Sequence, residues 1–199
     1  MTGAQRRQQL IDIGRELFGR RGYEATSIEE LAARASVSKP VVYGHFGGKE
    51  GLYAVVVEQE MRRLLDRFAA ALSAGGHPRD VLERTALVFL DYIEEDADGF
   101  RVLSRDSPFS DAAGHYSSLL GEAAHAVEHL LASQFRQNGY DPRPAGLYSQ
   151  ALVGMVALVG ASWLEDRSRG KREVAAHLVN LAWNGMGHLD PQPRLRSDP

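Results

Sequence analysis

Two helix-start signals crowd into residues 26–49, TSIEELAARASVSKPVVYGHFGGK, and their closeness restricts the fold more than any other feature of the chain. Ser27 followed three residues later by Glu30 is a capping-box pattern, in which each side chain satisfies a backbone N–H of the first turn. Ile28, Leu31, Ala32 and Ala35 then fall at i, i+3, i+4 and i+7, forming one apolar stripe with Glu29, Glu30, Ala33 and Arg34 outward. Such a stripe needs a partner helix. Ser38 opens a second helix as N-cap, with Pro40 in its first turn, where a missing N–H is harmless. Only Ala35, Ser36 and Val37 remain for the turn. Val37 at N′ and Val42 at N4 occupy the positions of a hydrophobic staple, which predicts a fixed angle between the helices. Gly47 and Gly48 end the second helix. Two helices joined by so short a turn make a helix-turn-helix unit.

With Val42 and Phe46 inward at i and i+4, Ser38, Lys39, Pro40 and Val41 are left exposed together with Tyr43 and Gly44. That is the end a recognition helix presents to base edges in a major groove. Lys39 can donate to guanine O6 and N7, and Val41 can touch a thymine methyl. Thr26, Ser27, Tyr43, His45 and Lys49 can hydrogen-bond phosphates.

The pattern T-S-x5-A-x3-V-S-K-x3-Y-x-H-F-x2-K-E within the first fifty residues resembles the DNA-binding head of the tetracycline-repressor (TetR) family. The resemblance implies a three-helix head followed by an all-α domain that dimerises and binds a small effector. It places positions 26, 27, 43 and 49 on phosphates and 39, 40, 41 and 44 toward bases. Three residues depart from the family's habit. Ser36 stands where glycine is common, so a left-handed turn residue there would be strained. Gly44 lacks a side chain where relatives often carry a base-reading group. Glu29 replaces a frequent basic residue, lowering the phosphate count by about one.

The net charge of −3 is unevenly spread, with eight Lys+Arg against six Asp+Glu in residues 1–50 and fifteen against twenty in the remainder. A mildly basic head on an acidic body is compatible with DNA binding when the charge is local. Absence of cysteine excludes disulfides, thiolate zinc sites and cysteine nucleophiles, as suits a reducing compartment. Residues 1–10 lead into an amphipathic helix and not an apolar leader core, which predicts a cytoplasmic protein. The longest apolar run, 151 to 164, is too short to span a bilayer and reads as a buried helix.

Helical periodicity predicts further helices over 4–20, ended by Gly19 and Gly22, then over 49–72, 78–96, 99–105, 115–138, 145–165 and 171–188. The fold class is all-α. The predicted division is a helix-turn-helix domain over 1–48, a ligand-binding and dimerisation domain over 49–189, and a disordered tail over 190–199. The helix from 49 joins head to body and can transmit a shift. Ala151, Gly154, Ala157 or Leu158, and Ala161 form a small-residue stripe, with Leu178, Leu181, Ala182 and Gly185 on the partner helix. Close helix approach there predicts a four-helix interface in a two-fold homodimer. Phe89, Tyr92, Phe100, Leu103, Tyr116, Leu119, His125, Met155 and Trp163 could line an effector pocket, and core packing would explain each equally well.

Glu122, His125 and His129 have metal-ligand spacing on one helix face but lack the donors of a closed site, so no metal or cofactor is expected. Ser104, Asp106 and His115 lack a nucleophile-elbow pattern, and no catalytic residue is assigned. The reading is a regulator binding a double-stranded, palindromic operator as a ligand-responsive homodimeric repressor. The alternative is an all-α ligand-binding or scaffold protein whose head does not read sequence.

Overall fold

The computed structural model describes residues 1–104, 115–190 and 193–194, excepting the side chains of 115–119. The predicted tail, the turn over 107–114, the residues Asp106 and His115, and the pocket side chains Tyr116 and Leu119 lie wholly or largely outside the described residues. Among those described there are nine helices and no strand: α1 Gly3–Arg21, α2 Ile28–Arg34, α3 Lys39–Phe46, α4 Lys49–Ser73, α5 Pro78–Glu95, α6 Ala97–Ser104, α7 His115–Gln137, α8 Ala145–Glu165 and α9 Lys171–Met186. They form two compact units, Met1–Ala69 with Asp91–Ser118, and Ala70–Leu90 with Leu119–Pro199. Division by packing thus differs from the division at 48/49 expected from the sequence.

The first unit is built on α1. Thr2 and Gln5 close a reciprocal capping box at its start, and Leu10, Ile11, Leu17 and Phe18 form its buried face. Leu31, Val42 and Leu52, all fully buried, complete a core shared by the first four helices. Gly19 does not end α1 as the sequence reading had it. It lies inside the helix, where a Cβ would come 2.5 Å from the Asp98 carbonyl oxygen, so glycine lets the start of α6 approach α1. Removing a side chain mid-helix sacrifices some helix propensity, and the close approach of α6 offsets it.

Beside that contact lies a polar junction. Asp96 Oδ2 accepts from Arg15 at 2.5 Å and from Arg63 at 2.8 Å, and its Oδ1 caps α6 through the Gly99 N–H at 2.9 Å. Buried Glu60 accepts from Arg63 and, at 2.9 Å, from the Tyr92 hydroxyl. Burial, then the Glu60 charge, push the Tyr92 phenol far above the ordinary range. The junction ties α1, α4, α5 and α6 together within this unit.

The second unit takes its packing mainly from α8 and α9, where Ala157, Trp163, Leu164, Val174, Leu178 and Val179 are buried. The Trp163 indole donates to the Arg169 carbonyl at 2.9 Å, which closes the loop between these helices. Phe135 of α7 meets the Tyr148 ring edge-on at 5.7 Å.

Ser36 is the one described non-glycine residue with a positive φ, at 54°. It occupies the left-handed position after α2, where Ser36 N–H bonds the Ala33 carbonyl and Val37 N–H the Ala32 carbonyl. These two bonds make a Schellman motif, which favours glycine at the position Ser36 holds. Ser36→Gly is therefore expected to stabilise the protein by about 1 kcal/mol. Urea unfolding would check this, and a destabilised variant would mean that Ser36 contributes something beyond its backbone.

Candidate nucleic-acid interface

Helix α2 begins as predicted, with Ser27 Oγ accepting from the Glu30 N–H at 3.1 Å. The other half of the capping box is absent, because Glu30 turns to Arg21 at 2.8 Å. Ser38 stands at the N-cap of α3 in extended backbone, but its side chain makes no capping bond. Pro40 has no N–H to offer, and the Val41 N–H is already bonded to the Ser38 carbonyl. The Ser38 hydroxyl is consequently exposed and available. Gly47, with φ 73°, ends α3 in the left-handed region.

Val42 is fully buried, whereas Ser38, Lys39, Pro40, Tyr43 and Gly44 are exposed and Val41 and His45 are half-buried. Of the base-facing residues expected from the sequence, Ser38, Lys39, Pro40 and Gly44 are thus exposed at and near the N-terminal end of α3, and Val41 is half-buried. A Cβ added at Gly44 would meet nothing within 4 Å, so this point of the helix surface is bare backbone. Tyr43 is 53 % exposed and lies over Gly48.

Two expected phosphate ligands are already engaged. Thr26 is buried and its hydroxyl donates to the Gly22 carbonyl at 2.8 Å, so its side chain fixes the approach to α2 and does not face solvent. Lys49 donates to the Tyr23 carbonyl at 3.0 Å, with its ammonium 4.1 Å from the centre of the Tyr23 ring. Ser27, Tyr43 and His45 keep exposed or half-exposed side chains, and the half-exposed Lys49 keeps two of its three donors.

The charges of this surface are paired internally. Arg34 reaches Glu16 at 3.0 Å, Arg21 reaches Glu30, and Lys39 is bonded to the Glu29 carboxylate. The Lys39 hydrogen bond holds the Glu29 carboxyl below the usual range. Neither Glu29 nor its pairing was among the expected site residues. The only available signal was the departure from a basic residue, and spacing alone could not show where that carboxylate points.

The remaining expected sites separate by burial. Tyr92, Phe100 and Leu103 are fully buried in the first unit, and the Tyr92 hydroxyl is taken by Glu60. Phe89 and Trp163 are buried in the second unit and Met155 is half-buried. The His125 side chain is 70 % exposed, on the solvent face of α7, against the expectation that it lines a pocket. Its ring lies 3.2 Å from that of His129, and no group of three metal-ligating residues occurs among the described residues.

On α8, Ala151, Gly154 and Leu158 are exposed and Ala161 half-buried; on α9, Leu181 and Gly185 are exposed. Leu178 and Ala182 are instead buried within their own unit, although their spacing places them on the same side of α9 as the exposed Leu181 and Gly185, so the edge of the unit's core runs along this face. Leu147, not anticipated, extends the α8 stripe, since 147, 151, 154 and 158 follow helical spacing. The reading of this helix as buried is also corrected. By length and composition α8 could cross a membrane, and only 28 % of its most apolar window is buried in the chain.

A capped helix, a three-residue Schellman turn and a second helix with its N-terminal face outward define a DNA-binding helix-turn-helix protein. Residues 10–56 match the model of bacterial regulatory proteins of the tetR family, and residues 78–185 match the tetracyclin repressor-like C-terminal domain. The chain belongs to the TetR family of transcriptional regulators.

Among its relatives, the transcriptional activator FasR of Mycolicibacterium smegmatis is 30 % identical over 93 % of this chain and 84 % of its own length. The transcriptional repressor ComR of Escherichia coli is 34 % identical over 65 % of this chain and 62 % of its own. A TetR-like regulator from Rhodococcus sp. RHA1 superposes with a TM-score of 0.79 at 29 % identity, covering 94 % of this chain and 98 % of that one. These relatives are transcriptional regulators, a class that is not enzymatic.

Proposed function

We propose that this protein is a cytoplasmic, ligand-responsive homodimeric repressor that binds a palindromic operator. The observation that carries the DNA-binding part is the outward face of α3, where Ser38, Lys39, Pro40, Val41, Tyr43 and Gly44 surround a fully buried Val42. A two-fold dimer presents two such helices to successive major grooves, which is why the operator is palindromic. Leu147, Leu158 and Leu181 are 69 %, 71 % and 64 % exposed, and with Gly154 and Gly185 they offer an apolar face that a second copy would cover. The same cover explains an apolar α8 without a membrane.

The effector is assigned to the apolar side chains of the second unit, among them Phe89, Met155 and Trp163. It acts by preferring the dimer conformation that does not fit DNA, since only differential affinity moves such an equilibrium. Helix α4 begins at Lys49, directly after the recognition helix, and is the element through which that preference reaches α3.

Selection from a random duplex library is expected to enrich a palindrome whose binding weakens steeply with salt. Leu158→Glu with Leu181→Glu is expected to yield monomers by sedimentation and to weaken operator binding at least about tenfold, because half-sites then bind singly. No enrichment, with weak binding that vanishes as salt rises, would favour the second reading of an all-α ligand-binding or scaffold protein. Loss of reporter expression in place of gain when the gene is deleted would turn the repressor into an activator, as FasR is named.

A further inference from the structure

On the reading of α3 as the groove-facing helix, we propose that Glu29 is a specificity-determining residue, and that the Glu29–Lys39 pair reads one G·C base pair in each half-site. Glu29 lies in the first turn of α2 and Lys39 is the first residue of α3. The turn between their helices is held by the two Schellman hydrogen bonds, so the backbones that carry the pair keep a constant separation. Both side chains are more than half exposed, and the exposed Tyr43 follows Lys39 by one turn of α3.

The chemistry of the pair matches a G·C edge. A lysine ammonium has three N–H donors, and the carboxylate occupies one of them. Those remaining can reach guanine O6 and N7, while the second lone pairs of the carboxylate accept from the cytosine N4 amino group. In the major groove that amino group lies beside guanine O6, so donor and acceptor on the protein face acceptor and donor on one base pair. A T·A or A·T pair places the adenine amino group between two acceptors, so it lacks the two adjacent acceptors that the remaining Lys39 donors need beside the amino group that Glu29 takes. An isolated ammonium, by contrast, is drawn to any phosphate, because condensed counterions are released whichever sequence is bound. With Glu29 alongside, Lys39 contributes little net charge at a distance and retains its short, directional hydrogen bonds. The neighbouring pairs Arg21–Glu30 and Arg34–Glu16 lower the general attraction to DNA in the same way.

The test measures binding of the full-length wild type, Glu29→Gln, Glu29→Ala and Lys39→Ala to the selected operator, to operators substituted at each base pair, and to unrelated duplex, across a salt series. For Glu29→Ala we expect several-fold tighter binding to unrelated duplex and a salt dependence steeper by about 0.9 in log–log slope per half-site. We also expect discrimination at one G·C position to fall about tenfold. Glu29→Gln is expected to show the same direction with intact folding by circular dichroism, since both residues are exposed. If Lys39→Ala alters base preference while both Glu29 variants keep wild-type discrimination and salt slope, the role of Glu29 is overturned and the groove-facing reading stands. If Lys39→Ala leaves base preference unchanged as well, the base-facing reading of Lys39 falls and this proposal falls with it.

Discussion

Asp96→Ala is expected to lower the stability of the protein by about 3 kcal/mol, and Asp96→Asn by about half as much. The alanine variant removes the acceptor that caps α6 through the Gly99 N–H, a loss of about 1 kcal/mol. It also removes the shared partner of Arg15 and Arg63, whose side chains are 30 % and 41 % exposed. Water reaches both guanidinium groups, and Arg63 retains Glu60, so each lost ion pair is discounted to about 1 kcal/mol and not given its fully buried value. Asparagine keeps a capping oxygen and loses the charge, hence the smaller effect. Urea denaturation of wild type and both variants at one protein concentration checks the ranking. Equal, small losses would show that the junction is held by the packing of Gly19 against Asp98 and not by its charges.

Gly51→Ala is expected to destabilise by about 3 kcal/mol or more and to abolish specific DNA binding in whatever fraction remains folded. A Cβ at this position would stand 1.9 Å from the Phe46 carbonyl oxygen, a backbone atom that cannot rotate away. The chain on either side is held by Gly47 N–H bonding the Tyr43 carbonyl at 2.8 Å and Leu52 N–H bonding the Gly48 carbonyl. Relief therefore requires α3 to shift against α4, which moves the groove-facing helix itself. Gly44→Ala is the matched control. Its Cβ meets nothing, and alanine gains about 0.5–1 kcal/mol of helix propensity there, so it should fold at least as well as wild type. Thermal unfolding separates the two, and operator titration then follows the effect of Gly51→Ala on binding. A stable Gly51→Ala variant with normal operator affinity would mean that the α3–α4 turn has more room than the Phe46 carbonyl allows.

Much of the head was legible because its signals are local. Ser27, the Ile28–Leu31–Ala32 stripe, Pro40 and Gly47 each act within a turn or two of their own position, and each marks a helix boundary or face found in the structure. The strain at Ser36 was expected only from the family resemblance, whose members commonly carry glycine there, and the positive φ bears it out. The limits of the local view appear at Gly19, read as a helix end from its residue type alone. A residue far along the chain, Asp98, explains why a glycine stands mid-helix there. His125 and Leu178 show the same limit from another side. Periodicity places a residue on a helix face but does not say whether that face meets solvent, its own core or a second copy.

By itself the sequence determined the all-α class, the helix-turn-helix and the set of residues α3 turns outward, because caps, turn residues and apolar spacing are short-range properties of the backbone. Only the tertiary structure decided which polar groups find each other. Arg15 meets Asp96, Tyr92 meets Glu60 and Lys39 meets Glu29 across helices whose spacing along the chain carries no such signal. Charge pairing depends on distances of a few ångströms between side-chain ends, and those are set only once the helices have packed.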